Sequence, residues 1–298
     1  MDFYTFLIQL LNAVQYGLLL FLVSSGLTLV FGIMGIINVA HGSFYMIGAY
    51  LAWWLAGRLD SFWLALPAGI LLTVAIGLAL EMLLIKRLYG RDHLYQVLLT
   101  YGLILMLEET RSLLWGDDVR GVAIPEILAA SIPLTETLSY PVYRLWISGV
   151  CLVVAGLMVW VIQKTRLGMI IRAGSANPEM VQSLGINVRL VYRLVFATGI
   201  ALAGFAGMIA SPVSAAYPGM GNQVLIVCFV IIVIGGMGSV KGAMLASLLI
   251  GLVDTFGKVL HLEVAGIKLL PELSSMTVYL LMAVVLLWRP EGVFGRRP

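Results

Sequence analysis

Only 11% of the 298 residues are charged and 61% are hydrophobic, so the few side chains able to do chemistry stand out. Asn38, His41 and Gly42 form a polar, flexible cluster, N-V-A-H-G, at the start of an apolar run. Gly235, Gly236 and Gly238 make a second break, G-G-M-G, which echoes G-I-M-G at Gly32. Unwound backbone at membrane depth is tolerated only where protein or a water-filled cavity satisfies it. Both breaks are therefore candidates for a solute path. Close helix approach through small residues is the ordinary explanation for most of the 32 glycines. His41 reads equally well as a structural histidine. His93 and His261 lie in other segments and no H-E-x-x-H pair occurs, so neither a metal site nor a metalloprotease is supported.

A third candidate is the long polar interruption over 163–193, which sets Lys164, Arg166, Arg172, Arg189 and Arg193 against one acid, Glu179. Its punctuation predicts a short helix of about two turns. Asn177 is a good N-cap and Pro178 suits the first helical position; Glu179 favours the positive dipole end and Gly185 supplies a left-handed stop. An exposed, capped helix between two apolar runs suits contact with a soluble partner. The other ionisable residues have plainer readings. Glu81 is expected to pair with Lys86 or Arg87 near the inner surface. Glu108, Glu109 and Arg111 are expected to snorkel at the outer surface. Asp254 and Lys258, spaced i, i+4, are expected to pair with each other. None is assigned to transport chemistry. Gly257-Lys258 is followed by Val259 and preceded at the required spacing by Leu252, so there is no phosphate-binding loop. No cofactor is expected.

The elements that must hold these residues are membrane spans. A mean hydropathy of +1.03 and continuous apolar runs define an all-α polytopic membrane protein rather than a barrel. Nine segments run about 6–31, 39–56, 62–85, 94–115, 142–162, 190–210, 223–234, 243–260 and 274–288. The second and seventh are short, which leaves eight or nine crossings with broken or re-entrant helices. Residues 1–298 form one transmembrane domain, with 163–193 a loop inside it. Lys86, Arg87, Arg91, the long loop and the tail Arg289, Arg296, Arg297 fall on one side. Asp117, Asp118, Glu126 and Glu136 fall on the other. The positive-inside rule then puts the N-terminus outside and the C-terminus in the cytoplasm. No Lys or Arg precedes the first apolar run, so no cleavable signal peptide is expected. Pro125, Pro133 and Pro141 exclude a long helix in the outer loop. A net charge of +3 does not suggest nucleic acid, and Cys151 and Cys228, both inside apolar runs, suggest no disulfide framework.

Taken together, several stretches are specific. They are Gln9 to Gly17 (Q-L-L-N-A-V-Q-Y-G), Gly26 to Gly32 (G-L-T-L-V-F-G), Asn38 to Gly42 with Gly48-Ala49-Tyr50, Arg172 to Gly185, the Gly235–Gly242 break, and R-P-E-G-V-F-G from Arg289. Over nearly its whole length the chain resembles the LivH-type permeases of bacterial branched-chain amino acid ABC importers. Val39 departs from the Phe that many of these relatives carry. The resemblance implies a non-enzymatic subunit in the bacterial inner membrane, importing branched-chain or related amino acids or amides. It also implies a second, related permease, two cytoplasmic ATP-binding subunits and a periplasmic substrate-binding protein as partners. Arg172, Ala173, Asn177, Pro178, Glu179 and Gly185 then match the loop that engages the ATPase. The competing class is an ion-gradient-driven secondary amino acid transporter, which should show paired buried carboxylates or a proton relay. A membrane-embedded enzyme is a third class, but no nucleophile and base are visible together.

Overall fold

The computed structural model describes residues 3–135, 138–176, 178–259, 263–264, 267–268 and 271–294. Among these are eleven α-helices and two small antiparallel hairpins. Nine helices coincide with the nine apolar segments: α1 (Phe3–Met34), α2 (His41–Leu59), α3 (Phe62–Leu83), α4 (His93–Trp115), α5 (Val142–Lys164), α8 (Val188–Ser214), α9 (Met220–Gly235), α10 (Val240–Val259) and α11 (Pro271–Trp288). The other two, α6 (Arg166–Ala176) and α7 (Pro178–Ser183), occupy the polar interruption. Helices α1, α3, α5, α8 and α10 are long and apolar enough to cross a membrane. Helix α9 has 16 residues, about 24 Å, and falls short of the roughly 30 Å hydrocarbon core.

Burial sorts these helices into a centre and a periphery. Every residue from Gly17 to Val30 of α1 is buried, and so is every residue from His41 to Ala52 of α2, so these stretches are enclosed by protein on all sides. The outer helices bury a single stripe. In α3 that stripe is Ala65, Gly69, Thr73, Gly77 and Glu81, one residue per turn. It runs antiparallel along α8, with Gly69 at Met208, Thr73 at Gly204 and Gly77 at Ile200. Away from their stripes these helices expose Leu71, Leu98, Val153 and Leu157, apolar surface suited to lipid.

Among its described residues the loop between α4 and α5 has no long helix across its prolines. It contains a 3-10 turn at Glu126–Leu128 and a hairpin of β1 (Ser131–Pro133) with β2 (Ser139–Pro141), in which Ile132 faces Tyr140. Glu136 lies outside the described residues. A backbone bridge between Arg120 and Ala216, 2.8 Å in each direction, ties this loop to the end of α8.

Arg111 requires a correction. It does not snorkel: it is 3% exposed and pairs with Glu108 at 3.1 Å and Asp117 at 2.9 Å. Its guanidinium lies over the Tyr50 ring, which stacks on Trp115. The reason is position, because Gln96, Thr100, Leu103, Leu107 and Arg111 form the buried stripe of α4. Glu108 is drawn inward as well, accepting the Gly219 N–H at 2.9 Å just before α9. In the loop beyond, hydrogen bonds from Ser112 and Arg111 hold the Asp117 carboxyl below the usual carboxylate range. Glu109 is exposed, as expected.

Candidate translocation and coupling sites

Helix α1 ends at Met34, yet His41 at the start of α2 reaches back with Nε2 3.0 Å from the Val23 carbonyl. Val23 lies eleven residues before Met34, about 16 Å along the helix axis. Residues 35–40 therefore retrace that depth as non-helical chain, and their backbone needs partners. Helix α4 supplies them: the Ile37 N–H donates to Gln96 Oε1 at 3.4 Å and the Val39 N–H to Thr100 Oγ1 at 3.3 Å. Neither Gln96 nor Thr100 stood out in the sequence. Both lie on the stripe that also carries Arg111, and two polar residues spaced i, i+4 on an apolar helix were the available signal. Asn38 and His41 are fully buried, and among the described residues neither amide atom of Asn38 nor Nδ1 of His41 has a hydrogen-bond partner. Gly42 packs on Gly221, where a Cβ would overlap the Gly221 carbonyl. The first turns of α2 and α9 thus cross backbone on backbone.

The second break lies at the far end of α9. A Cβ on Gly235 would come within 2.5 Å of the Gly242 backbone, and one on Gly32 within 2.8 Å of the Gly238 Cα. The echoing motifs G-I-M-G and G-G-M-G therefore end helices that meet. The R-P-E-G-V-F segment closes this end, with Val293 and Phe294 donating N–H groups to the Ile234 and Gly235 carbonyls at 2.8 and 3.1 Å. These carbonyls are otherwise open at a helix C-terminus. Gly292 packs against Gly236. Gly221 and Gly235 are fourteen positions apart, about 21 Å along the helix. Asn38, His41 and Gly42 thus sit near one end of α9, and Gly235, Gly236 and Gly238 at the other. They are stations about 20 Å apart, not one pocket.

In the polar interruption α5 turns into α6 at an elbow. Gly168 lies where a Cβ would strike the Val161 and Ile162 carbonyls, and the Arg172 guanidinium donates to the Ile162 carbonyl at the end of α5. Helix α7 begins at Pro178, the expected first position; Asn177 lies outside the described residues. Gly185 has φ +81°, with its N–H on the Gln182 carbonyl at 3.0 Å and the Ile186 N–H on the Val181 carbonyl at 3.4 Å. This paired bonding pattern is the glycine stop read from the sequence. Arg172, Ala173 and Glu179 are exposed. Helix α6 was not expected, although the Thr165 hydroxyl that caps its first turn, accepting the Gly168 N–H at 3.2 Å, was in plain view.

Glu81 also departs from its expected pairing. It is fully buried and meets Arg193, Nε to Oε2 3.2 Å, rather than Lys86 or Arg87. Tyr89 donates to its other oxygen at 2.5 Å. Glu81 ends the buried stripe of α3 against α8, which aims it at Arg193, whereas Lys86 and Arg87 belong to a separate 3-10 turn beyond α3. The long loop is thereby clamped to α3 where it becomes α8. The pair Asp254–Lys258 forms as read, at 2.6 Å.

A helical bundle whose central helices are interrupted at membrane depth, with a polar helical segment on one face, belongs to the class of polytopic transport proteins. The particular kinship is plain: the chain belongs to the family described as branched-chain amino acid transport system / permease component, whose model matches residues 9–286. It is 32% identical to the high-affinity branched-chain amino acid transport system permease protein BraD of Pseudomonas aeruginosa, over 99% of this chain and 97% of that one. It is 29% identical to the permease protein LivH of the same system in Escherichia coli K12, with the same coverage. The LivM permease protein of Escherichia coli K12 matches at 27%, over 90% of this chain and 66% of its own. No solved structure matches significantly.

Proposed function

We propose that this chain is one membrane subunit of an ATP-driven importer of branched-chain amino acids, with ATP hydrolysed on separate cytoplasmic subunits. The observation that carries this reading is the α6–α7 segment. A member of this permease family with no phosphate-binding loop presents a short glycine-stopped helix, α7, between two firmly anchored spans. A ligand-driven shift can be no larger than the differential binding energy supplied, so ATP binding at a partner is the source of work. Arg172, Ala173, Asn177, Pro178, Glu179 and Gly185 form the ATPase contact. Asn38, His41, Gly42, Gly235, Gly236 and Gly238 lie along the route, in line with their spacing along α9.

The match to LivM supports a related permease as the second membrane subunit. A periplasmic binding protein delivers substrate. The chain sits in the inner membrane with its N-terminus outside and its C-terminus in the cytoplasm, so the basic 163–193 loop faces the ATPase. No observation favours the ion-gradient alternative. The test is co-purification from native membranes: the tagged chain should bring down a nucleotide-hydrolysing subunit. Glu179→Arg and Gly185→Val should leave the chain inserted but abolish transport-coupled hydrolysis. Normal coupling in both variants would remove α7 from the contact.

A further inference from the structure

A cavity of about 490 Å³ lies between the outer ends of α1, α5, α8 and α10, within the size range of small-molecule sites. Asn12, Tyr16, Tyr45, Arg144, Asp254 and Lys258 line its polar side. Its floor at Tyr45 is one helical turn from His41, so it leads toward the α1–α2 break. Arg144 carries the argument. Its guanidinium donates to Asn12 Oδ1 at 2.6 Å, a neutral acceptor, and among the described residues no carboxylate pairs with it. A guanidinium has five N–H donors and prefers a two-pronged bond to a carboxylate. Across the same cavity Asp254 accepts one bond from Lys258 at 2.6 Å, and a carboxylate has room for several more. Arg144 without a carboxylate partner and Asp254 with acceptor capacity left over beyond Lys258 give the cavity one open position of each sign.

We infer that this cavity is the entry site for a free amino acid, with Arg144 taking the carboxylate and Asp254 the ammonium. Bringing a zwitterion out of water is costly unless both charges are met, and this cavity offers both signs. Leu19, Ala210 and Val213, which also line it, receive an aliphatic side chain. The inference rests on the reading of the chain as an amino acid permease and adds the discriminating group. An amide in place of the carboxylate leaves Arg144 unpaired and is rejected.

Cysteine protection tests the site without needing ATP. Cys151 and Cys228 are buried, so Thr255→Cys places the reactive thiol in the cavity of the intact complex. A charged, membrane-impermeant maleimide should label it, leucine should slow labelling at least fivefold, and leucinamide should not. Arg144→Gln, added to Thr255→Cys, should abolish the protection by leucine. Failure to label, absence of protection by leucine, or equal protection by the amide would overturn the inference. Because the readout is independent of the energy source, leucine protection without ATP-driven uptake would refute the importer reading and leave this site standing.

Discussion

The bundle core and the polar segment between α5 and α8 both depend on glycine, for unrelated reasons. In the core a glycine marks backbone on backbone: Gly26 on Gly199, Gly42 on Gly221, Gly48 on Gly204, Gly235 on Gly242. There the missing Cβ is a matter of space, and α1, α2, α8, α9 and α10 come together only because it is missing. Among the described residues Gly185 has nothing within 4 Å of where a Cβ would stand; what matters is its φ of +81°. The core is thus a rigid frame intolerant of one added carbon. The segment that turns at Gly185 is an exposed element fastened at its two ends, by the Arg172–Ile162 bond and the Glu81–Arg193 clamp. A frame with a lever attached at defined points can pass displacement inward. A uniformly packed bundle could not do so as readily.

Substitutions can break that contrast, and the largest effect is expected in the frame. Gly48→Leu drives a side chain into the Gly204 backbone, and overpacking of this kind costs about 1–3 kcal/mol or more. Size-exclusion profiles of the solubilised chain should show loss of the folded peak. An unchanged profile would mean that α2 and α8 are not in register as described. Next comes the clamp. Glu81→Gln leaves Arg193 without its counter-ion and Tyr89 with a weaker acceptor. Because Arg193 is 36% exposed, the expected loss is about 1–3 kcal/mol, below that of a fully buried pair. Thermal denaturation should shift down by several degrees, whereas Lys86→Gln should leave the midpoint in place.

A smaller effect follows at the retracing segment. Thr100→Val deprives the Val39 N–H of its acceptor at about 1–2 kcal/mol, and Thr100→Ser should recover most of it. The smallest global change belongs to the lever. Gly185→Ala strains one left-handed residue, about 1 kcal/mol confined to the end of α7. The thermal midpoint of the bundle should not move, while protease sensitivity of the 163–193 segment should rise.

What the amino-acid sequence reveals divides along the same line. The glycine stop of α7 and the Asp254–Lys258 pair are local, set by residues within one or two turns, and both are legible before any fold is known. So are the nine apolar helices, each a continuous run. The return of His41 to the level of Val23 is not legible, because nothing in N-V-A-H-G says how far back the chain travels. Nor is the partner of Glu81: Lys86 and Arg87 are near in sequence, whereas Arg193 is 112 positions away and is brought close only by the α3 stripe packing on α8. The burial of Arg111 was hidden for the same reason. A charge near a helix end reads as interfacial until the neighbouring helix is in place.

The central claim is that this chain provides the frame and lever while ATP on other subunits supplies the work. The most direct measurement is leucine uptake into proteoliposomes holding either the chain alone or the complete complex with its binding protein. The account predicts concentrative uptake only by the complete complex. That uptake should require enclosed ATP and be unaffected when proton and sodium gradients are collapsed. Concentrative uptake by the chain alone, driven by an imposed proton or sodium gradient, would contradict it.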